Sequence, residues 1–206
     1  MSSPGGAGGV TFQQNMSHGS DDPILEAAHG TVIDFGLRRT TVSEVARRAG
    51  VSRMTVYRRY PDGAALIRAL MAREFGAVLT RALDDVGERA SAGERLLDAV
   101  TRTLELLIEH PLLLRLLAVD PEVLLPYVTG SPGRFQENAR AALRAAIAAG
   151  QADGSVRAGD PALLAATVET AGRGLVLAAG SLGDDQRAAG VGELRRMLEG
   201  YLRCRA

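Results

Sequence analysis

Residues 41–60, TVSEVARRAGVSRMTVYRRY, place two short helices around a tight turn, and this unit constrains the fold more than any other stretch of the chain. Thr41 is a natural N-cap, and Glu44 follows three residues on, the spacing of a reciprocal capping box. Val42, Val45, Ala46 and Ala49 form the inward face, with Ala46 small where a second helix must cross closely. Gly50 falls where the chain leaves the helix, in a conformation only glycine takes without steric cost. Val51 plugs the corner. Ser52 caps the second helix, whose buried side is Val56 and Tyr60. Arg53, Met54, Thr55, Tyr57 and Arg58 are left outward. Long donors, a hydroxyl and an aromatic on one short helix suit the base edges of a DNA groove.

The charge pattern supports this reading. The chain as a whole balances 24 basic against 24 acidic residues, and every basic residue is Arg. Residues 31–60 do not balance: Arg38, Arg39, Arg47, Arg48, Arg53, Arg58 and Arg59 face only Asp34 and Glu44, a local excess of five positive charges. A basic patch on a near-neutral protein is an electrostatic footprint for phosphate.

Elsewhere the periodicity is helical. Asp22 and Pro23 open a first helix carrying Ile24, Ala28, Val32 and Phe35 to Gly36. Pro61-Asp62 breaks and caps ahead of a long helix with Leu66, Leu70, Phe75, Leu79 and Leu83. Residues 93–109, the apolar segment from Pro111 with breaks at Pro121 and Pro126, 134–149 stopped by Gly150, 161–179 and 187–203 complete the set. No useful run of period-two alternation appears, so the expected fold is all-α with about nine helices. Aromatic content is 4% with no Trp, so the core must come from Leu, Ala and Val. Residues 1–20 are Gly/Ser-rich and read as a disordered tail. The single cysteine, Cys204, makes neither an internal disulfide nor a metal site. No run of 18 apolar residues and no secretory leader are seen, so a cytoplasmic chain without a membrane span is expected. Catalysis needs converging groups. The chain has three His, and Asp84-Asp85 and Asp184-Asp185 are adjacent pairs whose side chains diverge on a helix. With no phosphate loop and no zinc spacing, neither an enzyme nor a cofactor is expected.

Residues 24–67, ILEAAHGTVIDFGLRRTTVSEVARRAGVSRMTVYRRYPDGAALI, resemble the DNA-binding region of the tetracycline-repressor (TetR) family of transcriptional regulators. The resemblance rests on a first helix ending in Gly36, a Thr-capped helix ending Ala49-Gly50-Val51-Ser52, and the aromatic pair Tyr57 and Tyr60. Two positions depart from the family pattern: Gly63 stands where Lys is usual, and Tyr60 where Phe is common.

The resemblance implies an N-terminal three-helix helix-turn-helix domain, residues 21–62, and a larger helical ligand-binding and dimerisation domain, residues 63–206. Resemblance and helix geometry together assign Arg53, Thr55 and Arg58 as base readers. They assign Thr41, Ser52, Tyr57, Arg38 and Arg39 as phosphate contacts. A ligand pocket is implied among residues 64–150, with Phe75, Leu79, Leu104, His110, Leu117, Tyr127, Phe135 and Asn138 as wall candidates. A homodimer interface is implied on the last two helices, with Ala166, Glu169, Gly172, Arg173, Val176, Leu194, Leu198 and Tyr201. Whether Arg173 pairs with Glu169 at that interface or faces the pocket stays open. The implied function is a repressor that binds a palindromic double-stranded DNA operator as a homodimer and is released by a hydrophobic or amphipathic small molecule. The alternatives are a helical DNA-binding regulator without a ligand, or an all-α enzyme.

Overall fold

A computed structural model describes residues 22–124 and 134–203, with side chains throughout except at 123, 124, 134 and 135. The tail 1–20, Tyr127, the Phe135 side chain and Cys204 lie outside the described residues. Among them the chain forms nine α-helices: α1 Pro23–Phe35, α2 Val42–Arg48, α3 Arg53–Arg59, α4 Gly63–Val86, α5 Ala92–Ile108, α6 Pro111–Val119, α7 Arg134–Ala152, α8 Pro161–Ala178 and α9 Asp184–Leu202. Short 3-10 turns follow α6 (Pro121–Leu124) and α8 (Ala179–Ser181).

The helix starts are chemical. Asp22, Thr41, Ser52, Asp62, Ser91 and Asp160 each accept a backbone N–H from the first turn of the helix they precede, satisfying donors that have no partner within the helix. Helix α5 has a second, remote cap. Asp153 accepts from the Ala92 amide at 2.7 Å and Ser155 from the Gly93 amide at 2.9 Å, so the loop after α7 seals its start. Gly150 does not stop α7, contrary to expectation; the helix runs on to Ala152. Gly150 is instead a point of close approach, where a Cβ would stand 2.4 Å from Val156.

Two main apolar clusters hold the fold. The first lies under α1–α3 and includes Ala28, Val32, Val45, Ala46 and Val56. It does not end at residue 62: Leu66 and Leu70 of α4 and Leu112 and Leu116 of α6 belong to it. The second joins α5, α7, α8 and α9 through Leu96, Leu104, Ile147, Val168, Leu194 and Leu198. Each fully buried Leu contributes about 1.5–3 kcal/mol by leaving water. The segment Pro161–Ser181 is, by length and composition alone, apolar enough to cross a membrane, with a mean hydropathy of 1.3. No single run of apolar residues reveals this, because Glu169 and Arg173 interrupt it. Here it packs against α5, α7 and α9.

Candidate functional site

The turn between α2 and α3 is built as its residues dictate. Gly50 takes φ +67°, Val51 donates to the Ala46 carbonyl at 3.0 Å, and Val56 is fully buried. Ala46, equally buried, lets the two helices cross. Arg53, Met54, Tyr57 and Arg58 of α3 are all exposed. Met54, at 75%, is the most exposed of the large apolar residues in the described chain. It was no site candidate in the sequence, although an apolar residue with no inward partner on a reading helix suits a thymine methyl. Thr55 is half-buried, and its hydroxyl is tied to the Ser52 hydroxyl at 2.9 Å.

The seven arginines of the basic patch divide into two groups. Arg39, Arg53 and Arg58 make no ion pair with a described residue. The other four are held. Arg47 grips Glu44 (Nε to Oε2, 3.0 Å) and Arg48 reaches Asp34 at 2.5 Å. The capping box is therefore half formed. The Thr41 hydroxyl accepts from the Glu44 amide, but the Glu44 carboxylate turns to Arg47, whose hydrogen bond holds it below the usual carboxylate range. Arg59 lies 3.2 Å from Asp22, the buried cap of α1, and the Tyr60 hydroxyl donates to the same carboxylate. Burial first, and then Asp22, push the Tyr60 phenol up to about 12. The end of α3 is thus bolted to the start of α1.

Arg38, a phosphate candidate, is occupied from outside the recognition unit. Its guanidinium sits 2.5 Å from Glu122, and its Nε is 3.8 Å from Asp120. Asp120 is itself buried and accepts the Leu37 amide at 2.7 Å. Gly36, with φ +81°, brings the backbone close enough that a Cβ would stand 2.8 Å from the same carboxylate. The end of α6 therefore clasps the loop between α1 and α2. Nothing in the local sequence joins Asp120 to Leu37, although an acid closing an apolar helix just before Pro121 is a usable signal.

A cavity of about 820 Å³ opens among α4, α5, α7 and α8, within the usual range for small-molecule sites. Phe75, Leu79 and Leu104 line it as expected. Three other candidates do not. His110 caps the start of α6, where it stacks edge-on against Phe75 at 5.7 Å and lies 3.7 Å from Glu74. Burial lowers its pKa from the ordinary imidazole value, with Glu74 opposing the shift. Leu117 packs into the core against Gly180, and Asn138 faces solvent on the far side of α7. The polar groups that line it are Thr103, Gln136, Glu169 and Arg173, with the exposed Arg68 and Arg95 at its edge. Thr103 and Gln136 were not candidates. Their signal was positional: Gln136 and Arg140 are one turn apart on α7, as are Glu169 and Arg173 on α8.

The dimer candidates are corrected in the same way. Gly172, Leu194 and Leu198 are buried in the chain's own core, Gly172 because Leu104 packs onto it. Val176 lines the cavity, as do Glu169 and Arg173, 3.5 Å apart. Tyr201 lies beneath the Arg157 guanidinium, 4.5 Å from the ring centre. Of the eight, Ala166 alone is neither core nor cavity wall nor covered by a side chain named here. The outward face of α8 and α9 carries Leu163 and Met197, both more than half exposed. It also carries Gly174, Gly192 and Gly200, where a Cβ would meet nothing within 4 Å.

Comparison with known proteins agrees with this architecture. Residues 24–70 match the family model for bacterial regulatory proteins of the tetR family. An uncharacterised HTH-type transcriptional regulator of Mycobacterium bovis is 33% identical over 180 residues, covering 87% of this chain and 92% of the relative. Among solved structures, a TetR-family regulator from Pectobacterium atrosepticum superposes with a TM-score of 0.71 at 18% identity, over 95% of this chain and 98% of that one. The Bacillus subtilis regulator FadR, in complex with stearoyl-CoA, superposes with a TM-score of 0.67 at 19% identity, over 88% and 98%. The exposed reading helix, its Gly50 turn and the relatives' shared identity over nearly their whole length lead to one conclusion: the chain belongs to the TetR family of DNA-binding transcriptional regulators, and it is not an enzyme.

Proposed function

We propose that this regulator is a repressor that binds a palindromic operator as a homodimer in the cytoplasm and is released by a hydrophobic or amphipathic effector. Arg53 and Arg58 read base edges, Met54 adds an apolar contact, and Tyr57, Arg39 and the first-turn groups at Thr41 and Ser52 hold phosphate. One short helix reads too little DNA for operator affinity, and two recognition helices about 34–36 Å apart would span one helical turn. The outward face of α8 and α9, with Leu163 and Met197 flanking its glycines, supports a partner helix pair. The boundary near residue 62 then divides two functions, although one core crosses it.

The observation that carries the effector reading is that the cavity and the DNA-reading unit share two helices. Helix α4 lines the cavity from Ala65 to Leu83 while its Leu66 and Leu70 sit in the core beneath α1–α3. Helix α6 sends Leu113 to the cavity, Leu112 and Leu116 to that core, and ends at the Asp120 clasp. A ligand that prefers one arrangement of these helices shifts operator affinity by its differential affinity for the two states. The stearoyl-CoA held by FadR supports an apolar chain as the kind of ligand such a cavity accepts. The test is a thermal-shift screen of amphiphiles on the purified protein, followed by operator gel shifts for each hit. Stabilising hits should release operator; tight binders that leave operator affinity unchanged would remove the effector reading.

A further inference from the structure

The cavity walls are mostly apolar; Arg68 and Arg95 stand exposed at their edge, and one charged group, Glu169, is buried within them. Glu169 is 92% buried by its side chain, at 8% exposure. Arg140 of α7 reaches it with Nε and a terminal nitrogen at 3.2 and 2.9 Å, and Arg173 of α8 lies 3.5 Å away on its other oxygen. Two guanidiniums therefore converge on one carboxylate. The loop joining α7 to α8 is short, so the helices run antiparallel. With Arg140 opposite Glu169, Gln136 one turn earlier stands at the level of Arg173 one turn later. Gln136 lines the cavity, and its side-chain carbonyl is buried without a hydrogen-bond partner. The Gln amide can turn to present its N–H₂, whereas the Thr103 hydroxyl on α5 already donates to the Ala99 carbonyl at 2.7 Å.

We infer that this group is a head-group site for a carboxylate, and that the effector is an amphipathic monocarboxylic acid bound as its anion, with its chain along α4. The inference rests on the effector reading above and narrows it. An Arg carries five N–H donors in a planar fork, so Arg173 can take an incoming carboxylate beside Glu169 and its other partners, Thr170 (3.4 Å) among them. The ligand anion then extends an alternating row of charges, Arg140, Glu169, Arg173 and ligand, with the Gln136 amide as a further donor. A quaternary ammonium would instead face two guanidiniums, and its only counter-charge, Glu169, is already taken by both. An alcohol or ester keeps the apolar contacts and loses the charge-assisted bonds. The wall contributed by α4 runs from Ala65 to Leu83, about 27 Å at 1.5 Å per residue, which is long enough for an extended acyl chain.

The experiment measures binding of hexadecanoate, hexadecanol, methyl hexadecanoate and hexadecyltrimethylammonium to the full chain by calorimetry, below their micelle-forming concentrations, with operator gel shifts in parallel. Hexadecanoate should bind about 10- to 100-fold more tightly than hexadecanol or the ester, the worth of hydrogen bonds to a charged group. Arg173→Gln should bring acid and alcohol to within a few-fold of each other while leaving alcohol affinity unchanged, and Gln136→Leu should do so to a lesser degree. Glu169→Gln keeps the shape and removes the competing charge, so it should tighten acid binding and leave the alcohol unchanged; this arm stands even if Arg173→Gln does not fold. Equal binding of acid and alcohol, preference for the ammonium, a preference that survives Arg173→Gln, or no binding by any of the four would overturn the assignment. Acid binding with the expected preference but without operator release would leave the carboxylate site standing and remove the effector reading. Release by acid and alcohol alike would do the reverse.

Discussion

The recognition unit and the cavity use arginine in opposite ways. In residues 31–60, Arg39, Arg53 and Arg58, which make no ion pair with a described residue, stand in solvent, where phosphate and guanine can meet them. In the cavity Arg140 and Arg173 turn toward each other over the buried Glu169. What separates the two is the company each side chain keeps. Arg38 makes the point: by sequence it belongs to the basic patch, yet its partner Glu122 comes from the far side of the clasp. A count of charges along the chain describes a footprint. Which of those charges remain available to DNA is decided by the acids that reach them, from Glu44 three residues from Arg47 to Glu122, 84 residues from Arg38.

If the two regions are one mechanical unit, the largest effect should come from a residue between them. Leu112→Ala sits in α6, outside the recognition unit, but its side chain is fully buried in the core beneath α1–α3. It should cost about 2–5 kcal/mol of stability, the usual cost of such a cavity, with loss of operator binding in proportion. Urea denaturation measures the first; a DNA-binding unit that stays intact would separate the regions. Asp120→Ala comes next. It deletes the acceptor of the Leu37 amide and should cost about 1.5–3 kcal/mol, as for other hydrogen bonds to charged groups. It should also weaken the link between effector and operator, read as a smaller shift in operator affinity on adding ligand.

Arg58→Ala and Arg38→Gln sharpen the contrast between free and held arginines. Arg58→Ala should relax base preference at one operator position and cost about 1–3 kcal/mol there. Arg38→Gln should leave base preference unaltered and change total DNA affinity little. Competition gel shifts against mutated operators distinguish the two, and an equal loss on specific and random DNA in Arg58→Ala would make Arg58 a phosphate contact.

The smallest effect concerns pH. His110 has its folded pKa lowered from 6.5 by burial. Below about pH 6.5 the unfolded chain therefore binds a proton that the folded chain resists, so this histidine's contribution to stability is present above that value and is lost as pH falls toward the folded pKa. His110→Gln should make the acid limb of a thermal stability profile shallower; an unchanged limb would assign the acid loss to other groups.

The recognition unit was legible because its signals are local. Thr41, Gly50, Ser52 and Asp62 act on residues two to four positions away, and the chain there folds as their chemistry requires. Even so, the capping box half failed, because the Arg47 guanidinium takes the Glu44 carboxylate in place of the neutral Thr41 amide. The cavity was less legible because its signals depend on which helix faces which. Phe75, Leu79 and Leu104 were found through the pocket that the family resemblance implies together with helical spacing. Glu169 and Arg173 were assigned to the last two helices' interface with the pocket left open for Arg173, and both line the cavity, since small residues such as Gly172 serve close packing within a chain as well as between chains. Leu194 and Leu198 of α9 likewise bury against the chain's own α5 and α8, and its open face carries Gly192 and Gly200.

Two copies of this chain are proposed to read DNA together through the free face of α3. Selection of bound sequences from random DNA by gel shift checks this, with the mass of the retained complex fixing how many chains are bound. An enriched inverted repeat is expected, with half-sites about one helical turn apart, held by two chains. Recovery of no enriched motif, or of an asymmetric one held by a single chain, would contradict it.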